Sequence, residues 1–191
     1  MTGGDGHHNG GLAIMMQWID FPDDRFVVNG LPWWEETRPK LIRLPQRYEG
    51  RVRPPVWSLA QSPSGARIRF ATDADALGIR AYFPNLSYMN NMPRTGQLGI
   101  DLWVDGEYWT VLYPQDDHDM EALLFQNLPR RRREICLYLG LYGPVEIRAI
   151  GVSAGASIEP PAPFAVEKPV VYYGSSITQG GCASRAGMSY Q

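Results

Sequence analysis

Residues 170–180 read Val170-Val171-Tyr172-Tyr173-Gly174-Ser175-Ser176-Ile177-Thr178-Gln179-Gly180. Four β-prone residues run straight into Gly-Ser-Ser, and small polar residues follow. The pattern predicts a buried strand that ends in a tight turn and presents a serine at its C-terminal edge. In open α/β sheets that edge is where ligands bind. A serine placed there becomes a nucleophile when a base takes its proton and N–H groups hold the oxyanion. Two other turn motifs do not fit. The α/β-hydrolase elbow G-x-S-x-G has Thr178 in its last position. A P-loop needs a lysine after its second glycine, and no lysine follows Lys168.

The stretch resembles the first sequence block of the SGNH (GDSL-type) hydrolases, G-[DS]-S-[IL]-T-x-G after an apolar strand. The matching residues are Gly174, Ser175, Ser176, Ile177, Thr178 and Gly180. The resemblance implies that Ser176 is the nucleophile and that its backbone N–H contributes to the oxyanion hole. Ser175 stands where the family usually has aspartate, a position outside its triad. The continuation Gly181-Cys182-Ala183-Ser184-Arg185 is similar to the branch with an extra N-terminal β-domain. Read without the resemblance, the same residues are a Gly/Ser turn joining two elements.

Upstream, Pro160, Pro161, Pro163 and Pro169 mark a stiff boundary. The expected organisation is a β-sandwich domain over 12–157, a linker over 158–165, and, as the resemblance implies, the start of the flavodoxin-like α/β domain of an SGNH hydrolase over 166–191. Within the first unit, 56–60 and 66–72 alternate apolar and polar residues around Ser62-Pro63-Ser64-Gly65, a hairpin signal. A strand is expected over 77–83. Strands over 98–104 and 108–113 are joined across Asp105-Gly106, a favoured hairpin turn. Further strands are expected over 121–128, 134–142 and 145–152. Regularly spaced short strands with turn signals predict a jelly-roll-like two-sheet sandwich, so the chain reads as mainly β. Residues 18–53 look irregular apart from one helical turn at Trp33-Trp34-Glu35-Glu36, ended by Pro39.

Gly99-Ile100-Asp101-Leu102-Trp103 is similar to the Gly-x-Asp-Leu-Tyr signature of the β-domain preceding this hydrolase branch, with Trp103 in place of tyrosine. Arg67-Ile68-Arg69-Phe70-Ala71-Thr72-Asp73 fits the family's strand pattern as well. The resemblance therefore spans 57–187 in separate blocks. Trp33, Trp34 and Trp103 are candidate binding residues at the junction of the two domains, where large aromatics also serve simply as packing.

Composition bounds the rest. The chain has 191 residues, 44% hydrophobic and 20% charged, with a net charge of −2. This is the balance of a globular protein, with no electrostatic pull toward nucleic acid or an anionic membrane. Cys136 and Cys182 lack metal-finger or C-x-x-C spacing and read as reduced thiols. The tail 1–11, with His7 and His8, reads as disordered or expression-derived. No secretory or membrane-spanning stretch is visible, so a cytoplasmic location is expected. The run 130–133, four consecutive arginines, reads as a solvated hairpin tip or, alternatively, a grip for a phosphate-bearing substrate such as a coenzyme A thioester. Asp116-Asp117-His118-Asp119 reads as a loop rather than a cation site, and no cofactor or metal is called for.

A serine hydrolase of this kind needs a histidine base oriented by an acid. The resemblance places that pair in an Asp-x-x-His block far beyond Ser176, with an oxyanion-hole glycine and asparagine on intervening loops. After Ser176 the sequence contains no histidine, aspartate, glutamate or asparagine. The expectation is therefore an N-terminal fragment of a longer enzyme, inactive by itself. The implied activity is transfer of an acyl group from a small ester or thioester, such as an acylated sugar, to water or to a hydroxylated acceptor. The alternative is a non-catalytic β-sandwich binding or structural module.

Overall fold

The computed structural model describes residues 15–189. The tail 1–11 with His7 and His8 lies outside them. Among the described residues, ten strands form two antiparallel sheets. They are β1 Met16–Asp20, β2 Val27–Asn29, β3 Arg67–Thr72, β4 Leu77–Tyr82, β5 Ile100–Val104, β6 Glu107–Leu112, β7 Asp119–Phe125, β8 Arg133–Tyr138, β9 Glu146–Ser153 and β10 Ile158–Glu159. One sheet runs β1-β9-β4-β7. The other runs β10-β3-β8-β5-β6, with β2 also paired to β3.

The strand alternation explains the core. Ile68 and Phe70 of β3 stand opposite Leu137 and Ile135 of β8, and Leu77 and Ile79 of β4 stand opposite Val152 and Ile150 of β9. All eight are almost wholly removed from solvent and belong to one cluster between the sheets. A side-chain period of two sends these residues to the same face, and the two faces bury each other. At the β5–β6 hairpin, Asp105 and Gly106 both have positive φ (53° and 84°). That is the mirror-image turn that suits the strand twist, so the Asp-Gly reading holds.

Four sequence expectations are corrected. Residues 54–60 are a helix, α2 Pro54–Ala60, not a hairpin strand. Pro54 and Pro55 sit at its first turn, where proline's missing N–H costs nothing and its φ is already helical. Residues 18–53 are not wholly irregular. They contain the end of β1 and the whole of β2 as well as the expected turn, α1 Trp34–Thr37. Ile158 and Glu159, read as linker, pair with Thr72 and Ala71 and extend the sheet. Residues 170–173, read as a buried strand, form none; Val170, Val171 and Tyr173 are exposed. A central strand is buried by neighbours on both sides, and 170–173 have no such neighbours among the described residues.

The arginine run is a solvated tip only in part: Arg130, Arg131 and Arg132 are exposed, though each has a partner. Arg133 is buried in β8 and donates to the carbonyls of Ala74, Arg131 and Pro129. Arg130 donates to the Ala154 and Gly155 carbonyls, Arg131 pairs with Asp105, and Arg132 bridges Glu134 and Glu159. The run fastens loops and the last strand to the sheet edge.

Between sheet and turn the chain is a strap laid on the six-stranded sheet. Ala162 donates its N–H to Glu134 Oε2 (3.0 Å) and accepts from Arg69 at its carbonyl (2.5 Å). Phe164 lies 3.8 Å from the Arg69 guanidinium, ring centroid to carbon. Backbone and side chain are thus both engaged, which proline stiffness alone would not achieve.

Candidate active site

Ser176 opens a one-turn helix, α4 Ser176–Gln179, after Ser175 in extended conformation, and Gly180 closes it with φ 94°. A left-handed residue at that position is glycine's usual task at a helix end. Here a Cβ would also stand 2.7 Å from Leu141 Cδ1. Gly174 is fixed from the other side, because a Cβ would meet Thr178 Oγ1 at 2.1 Å. Gly180 is therefore required by its left-handed backbone as well as by contact, and Gly174 by contact with the Thr178 side chain.

Ser176 is exposed while its backbone is held from below. Its carbonyl accepts from Gly181 N–H at 2.7 Å and from Tyr142 Oη at 3.0 Å. Gln179, buried, donates through Nε2 to the Leu141 carbonyl (3.0 Å), and its own carbonyl accepts from Ser64 Oγ (2.6 Å). Burial pushes the Tyr142 hydroxyl above its ordinary pKa, so it stays a donor at neutral pH. The sandwich loops around 64 and 141–142 thus form the seat of the serine turn.

The segment after the turn is anchored to a second part of the sandwich, the short helix α3 Arg94–Gln97 and strand β5. Thr95 Oγ1 donates to the Ser184 carbonyl (2.6 Å), and Asp101 Oδ2 accepts from Gly187 N–H (2.8 Å). The Arg185 Nε lies 3.7 Å from the same oxygen. Ala186 packs with Met92 and Leu141 in a small satellite core. Burial raises the Asp101 pKa above its ordinary value, against the Gly187 N–H and the Arg185 charge, which pull it down.

The expected site residues are scattered unevenly around this arrangement. Trp103 meets the segment: its ring lies 5.8 Å from the Arg185 guanidinium and is framed by Tyr108 and Tyr138. Trp33 packs on Tyr48 and Trp34 on Phe21, each at 5.9 Å between centroids, and neither partner belongs to 174–187. His118 is held at the β4–β7 end, its Nδ1 2.6 Å from the Phe83 carbonyl and its ring stacked on Tyr82. Asp116 and Asp119 pair with Arg94 and Arg148. Among the described residues no group of three or more His, Cys, Asp or Glu side chains could hold a metal ion. Both cysteines are free, Cys136 largely covered and Cys182 exposed. Tyr142 and Gly187 were not singled out from the sequence, since Tyr142 lies 34 positions from its partner, and Arg185 entered only as the end of the motif's continuation, with no role assigned. Asp101 carried a signal, a charged residue alternating with apolar ones inside a strand.

A model of the N-terminus of SGNH hydrolase-type esterases, named for Gly-x-Asp-Leu-Tyr, matches residues 16–158. The chain belongs to the SGNH-type esterase family. A second model, of the GDSL-like lipase/acylhydrolase family, matches residues 167–191, the part that contains Ser176. A structure from Bacteroides ovatus ATCC 8483, described as a GDSL-like lipase, superposes with a TM-score of 0.78 at 28% identity; the match covers 92% of this chain and 52% of that one. The salicylyl-acyltransferase SsfX3 from a tetracycline biosynthetic pathway gives 0.63 at 19% identity, covering 78% and 42%. A family two carbohydrate esterase from Cellvibrio japonicus gives 0.56 at 14%, covering 87% and 41%. At the last two identities the likeness is one of fold. The chain spans about half the length of the first of these structures and less of the other two. Comparison with curated proteins gave no match. No helix among the described residues is long and apolar enough to cross a membrane.

Proposed function

We propose that Ser176 is the nucleophile of an SGNH-type esterase or acyltransferase acting on a small acyl ester or thioester. The observation that carries this reading is the exposed serine on a turn whose carbonyl is doubly held by Gly181 and Tyr142, within the stretch matched by the GDSL-like acylhydrolase model. In the proposed mechanism Ser176 Oγ attacks the acyl carbonyl carbon and its proton passes to a histidine base. The oxyanion is stabilised by the Ser176 N–H together with further donors. The tetrahedral intermediate expels the alcohol or thiol, which takes the proton from the base, and leaves the acyl group on Ser176. Water or an alcohol then attacks the acyl-enzyme, the base receiving and returning one proton. We assign the base, its acid and the other oxyanion donors to the part of the longer relatives that this chain does not span. We likewise infer a division of labour: the sandwich as one unit, a strap after it, and the hydrolase unit beginning near 166.

Whether water or an alcohol accepts the acyl group is decided by how dry the pocket is, not by the nucleophile. The test is labelling with a fluorophosphonate that tags activated serines, read by intact mass and peptide mapping. In a protein that includes the remaining blocks, an adduct on Ser176 that disappears in Ser176→Ala is expected. In the 191-residue chain no adduct is expected. Labelling that persists in Ser176→Ala refutes the assignment.

A further inference from the structure

We propose that Asp101, the aspartate of the Gly-x-Asp-Leu signature, is a positioning residue that docks the segment following Ser176 onto the sandwich and so sets where the serine turn sits. Only the link to catalysis rests on the reading of Ser176 as nucleophile; the docking itself stands on geometry.

Strand alternation places Ile100, Leu102 and Val104 in the core, so Asp101 and Trp103 point to the outer face of the six-stranded sheet. A carboxylate on an outer face is ordinarily solvated. Asp101 nevertheless has 0% exposure. Its cover includes residues 185–187: Gly187 N–H bonds Oδ2, and the Arg185 guanidinium approaches the same oxygen while lying 3.7 Å from the Tyr108 ring centroid.

The approach of the backbone is close enough to dictate the residue. A Cβ on Gly187 would stand 2.4 Å from Trp103 Nε1 and 2.8 Å from Asp101 Oδ2. Two parallel ties hold the same segment, the Thr95 hydroxyl on the Ser184 carbonyl and the Ala183 carbonyl against Gly96, where a Cβ would be 2.1 Å away.

The energetics point the same way. Burying a carboxylate is costly, and Oδ1 has no hydrogen-bond partner among the described residues. A sandwich that needed only stability would do better with an apolar or solvated residue at this position. The cost is offset first through Oδ2, whose partners Gly187 and Arg185 both belong to the docked segment, and to a smaller extent by the neighbouring Trp103 side chain. The other signature residues divide consistently. Gly99 lets the Thr95 carbonyl approach, since a Cβ would stand 2.0 Å from that oxygen; Leu102 fills the core; Trp103 walls the cleft that receives 185–187.

The test is hydrogen–deuterium exchange on the 191-residue chain, comparing peptides covering 183–189 with peptides covering β3 and β4. Asp101→Asn keeps an acceptor for Gly187 but loses the charge facing Arg185; Asp101→Leu loses both. Exchange over 183–189 is expected to rise about tenfold in the asparagine variant and further in the leucine variant, with β3 and β4 unchanged. If Asp101→Leu also loosens β3 and β4, Gly187→Ala decides, since it disturbs the clamp from the segment's side; the same loss of protection is expected. Protection over 183–189 within about twofold of the parent in folded variants overturns the proposal.

In a protein that includes the remaining blocks, fluorophosphonate labelling of Ser176 is expected to slow about tenfold in Asp101→Asn, with the asparagine variant faster than the leucine variant and an unchanged melting temperature. An unchanged labelling rate overturns the positioning role. If the parent itself is not labelled, the nucleophile reading fails, and the exchange result alone decides the docking.

Discussion

The hydroxyl of Tyr142 donates a hydrogen bond to the backbone carbonyl of Ser176 across 3.0 Å, linking the sandwich to the residue with which the hydrolase motif opens its helix. Removing that hydroxyl leaves the Gly181 N–H as the carbonyl's remaining partner. Tyr142→Phe should cost about 1 kcal/mol locally. In a protein that includes the remaining blocks the expected result is a severalfold slower reaction of Ser176 with fluorophosphonate and little change in melting temperature. An unaltered rate would show that Gly181 holds the carbonyl adequately alone.

Asp101 also gives the chain a pH signature. A carboxyl whose folded pKa lies above its unfolded value binds more protons in the folded state. Its contribution to stability therefore grows as pH falls through the folded pKa and is lost as pH rises. Burial raises Asp101 in this sense. The stability difference between the parent and Asp101→Asn should thus shift in the parent's favour as pH is lowered from 7 into the range just above the ordinary carboxylate pKa. Urea melts of both proteins at several pH values check this, and parallel curves would contradict it.

The two thiols should differ sharply in reactivity. Burial pushes Cys136 up to about 11, although Arg67 and Arg69 pull in the opposite direction. At pH 8 only about 0.1% of it is thiolate. Cys182 is exposed, with Asn91 Nδ2 3.7 Å from its sulfur. Brief iodoacetamide treatment of the folded chain should alkylate Cys182 and spare Cys136, as read by peptide mass; equal modification would mean that the sheet face around Cys136 opens readily.

The strap should be released by one substitution. Arg69 both binds the Ala162 carbonyl and stacks on Phe164. Arg69→Ala should make 160–169 the first site of limited proteolysis, with the sandwich fragment surviving. Cleavage at the parent's rate would show that Glu134 is the sufficient tie.

Packing in the core should be the costliest to disturb. Phe70 is fully buried and meets Phe26 edge-on at 5.1 Å. Phe70→Ala should destabilise the sandwich by about 3–5 kcal/mol in chemical denaturation, the combined loss of apolar burial and the cavity left behind. A loss below about 1 kcal/mol would mean that the two sheets close over the gap.

The central strands were legible because each reports itself within a few residues. Ile68 and Phe70, Ile79 and Ala81, and Ile100 and Leu102 are each separated by a charged residue, and Asp105-Gly106 encodes its own turn. Helix α2 was misread as a strand because the run is so short: Val56, Leu59 and Ala60 in fact recur at the helical spacing i, i+3, i+4, and the two prolines before them favour a helix start. Strands β1 and β2 were not read because each finds its partner far along the chain, Trp18 opposite Gly151 and Val28 opposite Ile68.

By itself the sequence determined what local chemistry determines: the strand periodicity, the Asp-Gly hairpin, the two glycines around the serine turn, and the family signatures of the β-domain and of the serine turn. The tertiary structure decided what depends on distance through space. It placed Tyr142 under the Ser176 carbonyl, buried Asp101 against Gly187, tied down the arginine run, and gave Trp103 but not Trp33 or Trp34 a place beside the docked segment. Those relationships join residues tens of positions apart on different elements. A linear pattern holds a residue's own preference for strand, turn or burial, but the partner that satisfies a hydrogen bond or covers a charge is chosen only when the sheets and the returning chain close on one another.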